Sequence, residues 1–173
     1  MGSRSRTSAR NDVSEQVIRV REARDTDVDT VLAIEQESFV DPWSRDSFET
    51  ALDVARMLFL VAEACPAGND EDAESGQCEV LGYVMAVLLL DEAEIADLAV
   101  APTARGRGIG GLLLDQVSAQ AYGVGVRSMY LEVRESNVSA RALYDSRSFT
   151  HVGRRRGYYT NPREDALLMR RDV

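Results

Sequence analysis

The segment Arg105-Gly106-Arg107-Gly108-Ile109-Gly110-Gly111 constrains the fold of this chain more than any other. It lies between an apolar run, residues 95–100, that reads as a strand and an amphipathic run from Leu112 onward that reads as a helix. Glycines spaced closely at a strand-to-helix junction let the backbone turn tightly and keep Cβ atoms away from a ligand. The helix behind them starts with unpaired N–H groups and the positive end of its dipole. Together these features make a cradle for a phosphate or pyrophosphate, so a cofactor carrying a diphosphate is the first expectation.

Two kinds of loop fit this pattern. The glycines match G-x-G-x-x-G at Gly106, Gly108 and Gly111, and an acid, Glu132, follows at about the 20-residue distance of a ribose contact in dinucleotide-binding folds. Two features oppose that reading. Ala101-Pro102-Thr103-Ala104-Arg105 separates the strand from the loop, and the chain beyond Glu132 is too short to complete a doubly wound sheet. The pattern Arg105-x-x-Gly108-x-Gly110 resembles instead the acyl-CoA loop of the Gcn5-related N-acetyltransferases (GNAT). In that family the first position is Gln or Arg, and Arg105 supplies a charged fork suited to phosphate.

Hydrophobic periodicity gives the rest of the order. Residues 17–21 alternate and predict a strand. Residues 27–39 place Val28, Val31, Leu32, Ile34 and Phe39 at helical spacing, with Asp25 or Thr26 positioned to cap. Asp41-Pro42-Trp43-Ser44 breaks that helix, and Ser44 caps a second over residues 45–54. Residues 57–64 form a continuous apolar strand, and residues 66–77 a solvated loop. Residues 80–90 and 93–100 are strands, 108–122 the helix behind the glycine loop, 129–133 a strand, 139–148 a short helix, and 150–159 with 166–171 a closing strand pair. The expected fold class is α/β: a single domain over residues 17–173 with a mixed, mostly antiparallel sheet of about seven strands and flanking helices, in the order β-α-α-β-β-β-α-β-α-β-β. A polar, disordered tail is expected over residues 1–16. This order is also that of the GNAT fold.

Further segments narrow the resemblance. They are Leu131-Glu132-Val133-Arg134-Glu135-Ser136-Asn137 with Ala142-Leu143-Tyr144, Asp41-Pro42-Trp43-Ser44, Arg155-Arg156-Gly157-Tyr158-Tyr159 through Arg163-Glu164-Asp165-Ala166, and Asp91-Glu92-Ala93-Glu94 with Leu98-Ala99-Val100. Together they resemble the RimI-type ribosomal-protein-alanine N-acetyltransferases and their archaeal N-terminal acetyltransferase relatives, over roughly residues 17–169. The resemblance implies acetyl-CoA as cosubstrate. It places the backbone of Leu98, Ala99 and Val100 along the acetyl-pantetheine arm. It puts Arg105, Gly106, Arg107, Gly108, Ile109, Gly110 and Gly111 around the pyrophosphate, and Asn137 further along the cofactor. It makes Glu132 the proton acceptor and Tyr144 the proton donor, and it sets Trp43, Tyr158 and Tyr159 at the peptide entry. Asn137 also fits a helix cap, and Trp43 and Tyr144 also fit core anchors. The implied activity is acetyl transfer to the N-terminal amine of ribosomal or other cytoplasmic proteins, with no metal. Acetylation of a small amine or a lysine side chain, and a non-catalytic acyl-CoA-binding subunit, are the rival readings.

Charge and cysteine usage narrow the setting. The 173 residues carry 20 basic and 29 acidic side chains, a net charge of −9, and every basic one is Arg. That balance argues against general nucleic-acid binding, which needs basic patches. No apolar stretch approaches the ~20 residues of a membrane span, and the polar segment 1–11 is not a secretory signal. A cytoplasmic monomer or weak homodimer is expected. Cys65 and Cys78 then read as two reduced thiols. His151, the sole histidine, has no His/Cys cluster around it to hold zinc. Acidic, lysine-free composition fits adaptation to high salt, and a GC-rich genome also explains Arg in place of Lys. The salt reading has a direct consequence, because crowded carboxylates repel over a Debye length of about 30 Å at 0.01 M salt but about 3 Å at 1 M. The melting temperature is expected to be lower in dilute buffer than in molar KCl, and a scanning-fluorimetry series that stays flat across that range contradicts the reading.

Overall fold

A computed structural model describes residues 16–67 and 78–173. The expected tail over 1–15 and most of the acidic loop, 68–77, lie outside the described residues. The elements are β1 (Gln16–Glu22), α1 (Val28–Ser38), α2 (Arg45–Asp53), β2 (Met57–Pro66), β3 (Glu79–Leu89), β4 (Glu92–Val100), α3 (Ile109–Gly123), β5 (Ser128–Arg134), α4 (Val138–Ser146), β6 (Thr150–Thr160) and β7 (Arg163–Asp172). Their order is the expected one. Gln16 and Pro66, assigned from the sequence to a tail and a loop, instead begin β1 and end β2, and they pair with each other. Asp25 and Thr26 do not cap α1. Residues Asp25–Asp27 form a 3₁₀ turn, because the Asp27 carboxylate accepts the Arg24 N–H at 2.7 Å and closes the chain one turn early. Ser44 caps α2 as expected, accepting from the Ser47 N–H.

The seven strands form one sheet in the order β1-β2-β3-β4-β5-β7-β6. Every neighbouring pair is antiparallel except β4–β5, which is parallel because α3 carries the chain back across the sheet. Alternating side chains give each strand two faces. Leu113, Leu114 and Val117 of α3 and Tyr144 of α4 pack with Met129, Leu131 and Val133 on one face. Val31 of α1 and Phe48 of α2 pack with Phe59, Tyr83 and Met85 on the other. There α1 and α2 contact β2, β3 and β4.

Two irregularities open the sheet along β4. Met85 pairs with Asp97 while Ala86 pairs with Ile95, so Ala96 is an extra residue bulging out of the strand. The β4–β5 ladder runs only from Glu92↔Ser128 to Ile95↔Leu131. Past that point the two parallel strands continue without a shared ladder, and the sheet is split.

Cys65 and Cys78 correct the expectation of two reduced thiols: they form a disulfide. Ala64 pairs with Glu79 across β2 and β3, which puts the next residue on each strand directly opposite the other. The bond closes a loop between residues 13 apart, and in the chain-entropy picture a loop of that length stabilises by about 3 kcal/mol. Cys65→Ser/Cys78→Ser is therefore expected to lower the melting temperature by about 5 °C or more. Identical melting of the double variant and the oxidised protein contradicts this.

Candidate active site

The glycine loop has the geometry its composition calls for. Gly106 and Gly108 sit at φ +76° and +80°, in the left-handed region, and nothing lies within 4 Å of where a Cβ would stand. Gly108 is the N-cap of α3 and makes no side-chain cap hydrogen bond. The N-terminal end of α3 and the positive end of its dipole thus meet the glycine loop, while Leu143 and Arg147 pack close to Gly110 and Gly111.

A cleft of about 600 Å³ opens in front of this loop. Its walls are Leu98, Ala99 and Val100 of β4, the loop residues Arg105, Gly106, Gly108, Ile109, Gly110 and Gly111, and Asn137 with the following turns of α4. Every residue assigned from sequence to the cofactor lines it except Arg107, which is exposed and turned away. Ser38 and Phe39 at the end of α1 form the far wall. The sequence does not point to them, because nothing in the α1 periodicity says which end of a helix meets a site. Arg105 braces the rim: Nε donates to the Val100 carbonyl and Nη2 to the Ser38 hydroxyl, both at 3.0 Å. Its guanidinium thus ties β4 to α1. Asn137 does cap α4, its Oδ1 accepting the Ala140 N–H at 3.1 Å, and it lines the cleft as well.

Gly82 is a further residue that motif reading passes over. It faces Val100 across the β3–β4 ladder, and a Cβ there would stand 2.7 Å from the Ala99 carbonyl oxygen. A lone glycine inside an apolar strand is the signal for such an approach.

Glu132 lies on β5 immediately after the last residue paired with β4, so it sits at the mouth of the split. It is on the face opposite α3, because Leu131 and Val133 take the α3 side. Its Oε1 forms an ion pair with Arg155 Nη1 at 2.6 Å. The Tyr158 pKa is raised, by its interaction with Glu132 first and by burial second. Tyr158 and Tyr159 stand edge to face at 5.1 Å, with Arg134 4.0 Å over the Tyr159 ring. Burial first, then the Glu132 charge, pushes Tyr159 up to about 12. A bulge in β6 delivers these tyrosines: Arg155 pairs with Ala166 and Tyr159 with Glu164, leaving three residues against one. Glu132 and Arg155 share a hollow of about 190 Å³ with Glu92, Glu94 and Tyr130.

Tyr144 is buried against Phe149, 5.9 Å between ring centres, on the α3 side. Its pKa is raised, by burial first and then by the Asp97 charge and by Tyr159. Asp97 and Tyr159 belong to the opposite face, so the phenol feels both faces at the split and stays protonated at neutral pH. Trp43 does not join this group. It packs on Phe48 at 6.1 Å and lines a separate hollow with Ser47, Thr50 and Met57 of the α2 region, because its backbone N–H is held by Glu35 at 2.8 Å. Glu63, Cys65 and Cys78 also lie within 4.8 Å of one another. Their ligating atoms are engaged: Glu63 pairs with Arg19 and Arg21, and the cysteines are bonded to each other.

The split parallel pair thus has the glycine loop at one side and the Glu132 carboxylate at the other. The sequence profile of the acetyltransferase (GNAT) family matches residues 28–149. The chain belongs to that family. This GNAT protein is an acyltransferase. It is 36% identical over 146 residues to the [ribosomal protein bS18]-alanine N-acetyltransferase of Haemophilus influenzae, covering 83% of this chain and 90% of that one. The crystal structure of the ribosomal-protein-S18-alanine N-acetyltransferase from Escherichia coli superposes with a TM-score of 0.75 at 30% identity, over 91% of this chain and 94% of that one. Arabidopsis thaliana NAA60 in complex with acetyl-CoA shares the fold, with a TM-score of 0.78 at 23% identity over 91% and 99% of the two chains.

The packing at Gly82 gives this GNAT domain a sensitive point. Gly82→Ala drives a Cβ into backbone that has nowhere to go, and is expected to destabilise the fold by about 1–3 kcal/mol. Urea denaturation measures this, and an unchanged midpoint contradicts the close approach of β3 and β4.

Proposed function

We propose that this protein transfers the acetyl group of acetyl-CoA to the N-terminal α-amine of a ribosomal protein. The observation that carries the proposal is the placement of Glu132. It stands at the mouth of the β4–β5 split, on the face away from the glycine cradle. The matching activity of the relatives, each named for alanine N-acetylation of a ribosomal protein, supports the same reading.

The cleft suits the cosubstrate. Its volume of about 600 Å³ is that of a small-molecule site, and the glycine loop with the N-terminal end of α3 suits a pyrophosphate. The β4 backbone from Leu98 to Val100 accommodates the pantetheine arm, which brings the thioester to the split. The peptide approaches from the other face, past Tyr158 and Tyr159. Its amine has an ordinary pKa of roughly 7.7–8.0, so part of it is already neutral near neutral pH, and a carboxylate within reach can accept the proton from the rest. Glu132 takes that proton. The incoming ammonium replaces the exposed Arg155 guanidinium as the cation beside Glu132. The freed amine attacks the thioester carbonyl. As the C–S bond breaks and the amide forms, the CoA sulfur leaves with a proton from the buried Tyr144 hydroxyl, and the surplus proton on the new amide nitrogen returns to Tyr144 to restore that hydroxyl. A ribosomal-protein substrate fits a setting in the cytoplasm, and the acidic, lysine-free composition fits a high-salt interior.

Coenzyme release with a panel of peptides, free or blocked at the N-terminus and with or without lysine, tests the reaction. Release only with free N-termini supports it, and release only with lysine or small amines overturns it. Two variants test the roles. Glu132→Gln is expected to bind acetyl-CoA normally and to turn over roughly 10²-fold more slowly at neutral pH, with a smaller deficit at high pH where the amine is already neutral. Tyr144→Phe is expected to lose about 10- to 10²-fold in kcat, because a thiol with a pKa near 8.5 is a fair leaving group even without a donor. Unfolding of Tyr144→Phe, or full activity of Glu132→Gln at neutral pH, contradicts the assignments.

A further inference from the structure

The acyl transfer leaves two neighbouring carboxyls unused, Glu35, which is buried, and Asp97, which is half-buried. Glu35 of α1 is 1% exposed, and its Oε1 accepts the Trp43 N–H at 2.8 Å. Its Oε2 accepts the hydroxyl of Tyr83, in the middle of β3. The same Tyr83 oxygen lies 3.1 Å from Oδ2 of Asp97, and Asp97 Oδ1 accepts the Leu98 N–H at 2.8 Å. Among the described residues neither carboxyl is ion-paired. The contrast is with Asp27 and Glu63, buried acids that Arg21 holds directly and whose pKa values are lowered.

Counting protons decides the state of the pair. Tyr83 has one proton and can donate to one acid only. Both of its contacts are hydrogen bonds if one carboxyl is protonated, with the Asp97 O–H donating to the Tyr83 oxygen and the Tyr83 O–H donating to Glu35. The two acids also come from the two walls of the cleft. Asp97 immediately precedes Leu98, and Glu35 closes the last turn of α1, its carbonyl accepting the Phe39 N–H at 2.9 Å.

We infer that a single proton shared by Glu35, Tyr83 and Asp97 clamps the β4 wall of the cleft to the α1 wall, so that acyl-CoA affinity depends on that proton. Glu35 and Asp97 are positioning residues, acting through Leu98 and through the Ser38–Phe39 end of α1. The inference rests on the reading of the cleft as the acetyl-CoA site. The groups facing Asp97 are Glu35 from α1, Tyr83 from β3 and Tyr144 from α4. Burial first, and then the Glu35 charge, pushes Asp97 up to about 7. The folded chain therefore holds this proton more tightly than the unfolded one, and the clamp is intact at low pH and released as pH rises through about 7. Two adjacent negative charges then repel, and the walls separate.

The test is the dissociation constant of acetyl-CoA, measured by calorimetry from about pH 6 to about pH 8.5, for the wild-type protein and Asp97→Asn. Asn cannot ionise, yet it offers an acceptor to Leu98 and a donor to Tyr83. Wild-type affinity is expected to fall about tenfold relative to Asp97→Asn across that range. Taking the difference between the two curves removes the titration of the ligand's own phosphates. If Asp97→Asn does not fold, Glu35→Gln carries the same expectation, since its amide neutralises the other half of the pair. Parallel curves for wild type and variant overturn the clamp and leave the cleft's assignment standing. Absence of acetyl-CoA binding at every pH overturns both.

Discussion

Only the short ladder from Glu92↔Ser128 to Ile95↔Leu131 joins β4 to β5. It is the one seam between the β1–β4 meander and the β5–β7–β6 portion of the sheet. If it were longer, the sheet would be closed and there would be no passage between its faces. If it were absent, β4 and β5 would share no ladder of backbone hydrogen bonds. Its length is set on the β4 side by the bulge at Ala96, which alters the strand's course one residue after the last pair. The glycine cradle, Leu98 to Val100, Glu132 and the Asp97 carboxyl are all arranged around the end of that ladder. The proposed reaction, between a cosubstrate on one face and an amine on the other, depends on this termination more than on any single side chain.

The fold was legible because its signals are local. Alternation in β1, helical spacing in α1, the Ser44 cap and the glycine loop each depend on residues near one another in sequence, and the elements appear in the expected order. What the sequence hid is non-local. The bulge at Ala96 is a matter of register against β3, which no property of Ala96 announces. The Cys65–Cys78 bond follows from β2–β3 register, whereas the expectation of free thiols came from compartment alone. The motif around Trp43 points to the peptide entry, yet Glu35 and Phe48 hold the residue elsewhere. Arg155 has no partner legible in the sequence, and meets Glu132 only where β6 and β5 are brought into one sheet. Asp97 did leave a trace, an acid inside an otherwise apolar run, and Glu35 sits among the buried positions of its helix.

The buried acids show two ways of meeting the same cost. Removing a carboxylate from water is expensive unless a cation or a proton neutralises it. At the β1–β2 edge the chain uses Arg19 and Arg21 against Glu63 and Asp27. Between α1 and β4 it uses a phenol and a shared proton. The first arrangement is insensitive to pH near neutrality. The second titrates there, and it lies against the cleft. The chain as a whole has a net charge of −9 and no lysine, a third electrostatic setting.

The central claim is that cosubstrate and peptide meet through the β4–β5 split from opposite faces of the sheet. A crystal structure with a bisubstrate analogue, CoA joined through an acetyl linker to a peptide N-terminus, tests it most directly. The account predicts the pyrophosphate on the backbone N–H groups of Gly108 to Gly111, the linker passing beyond Ile95 and Leu131, and the peptide nitrogen beside Glu132 with Tyr158 and Tyr159 against the chain. A peptide bound on the α3–α4 face, or a linker that does not enter the split, would contradict it.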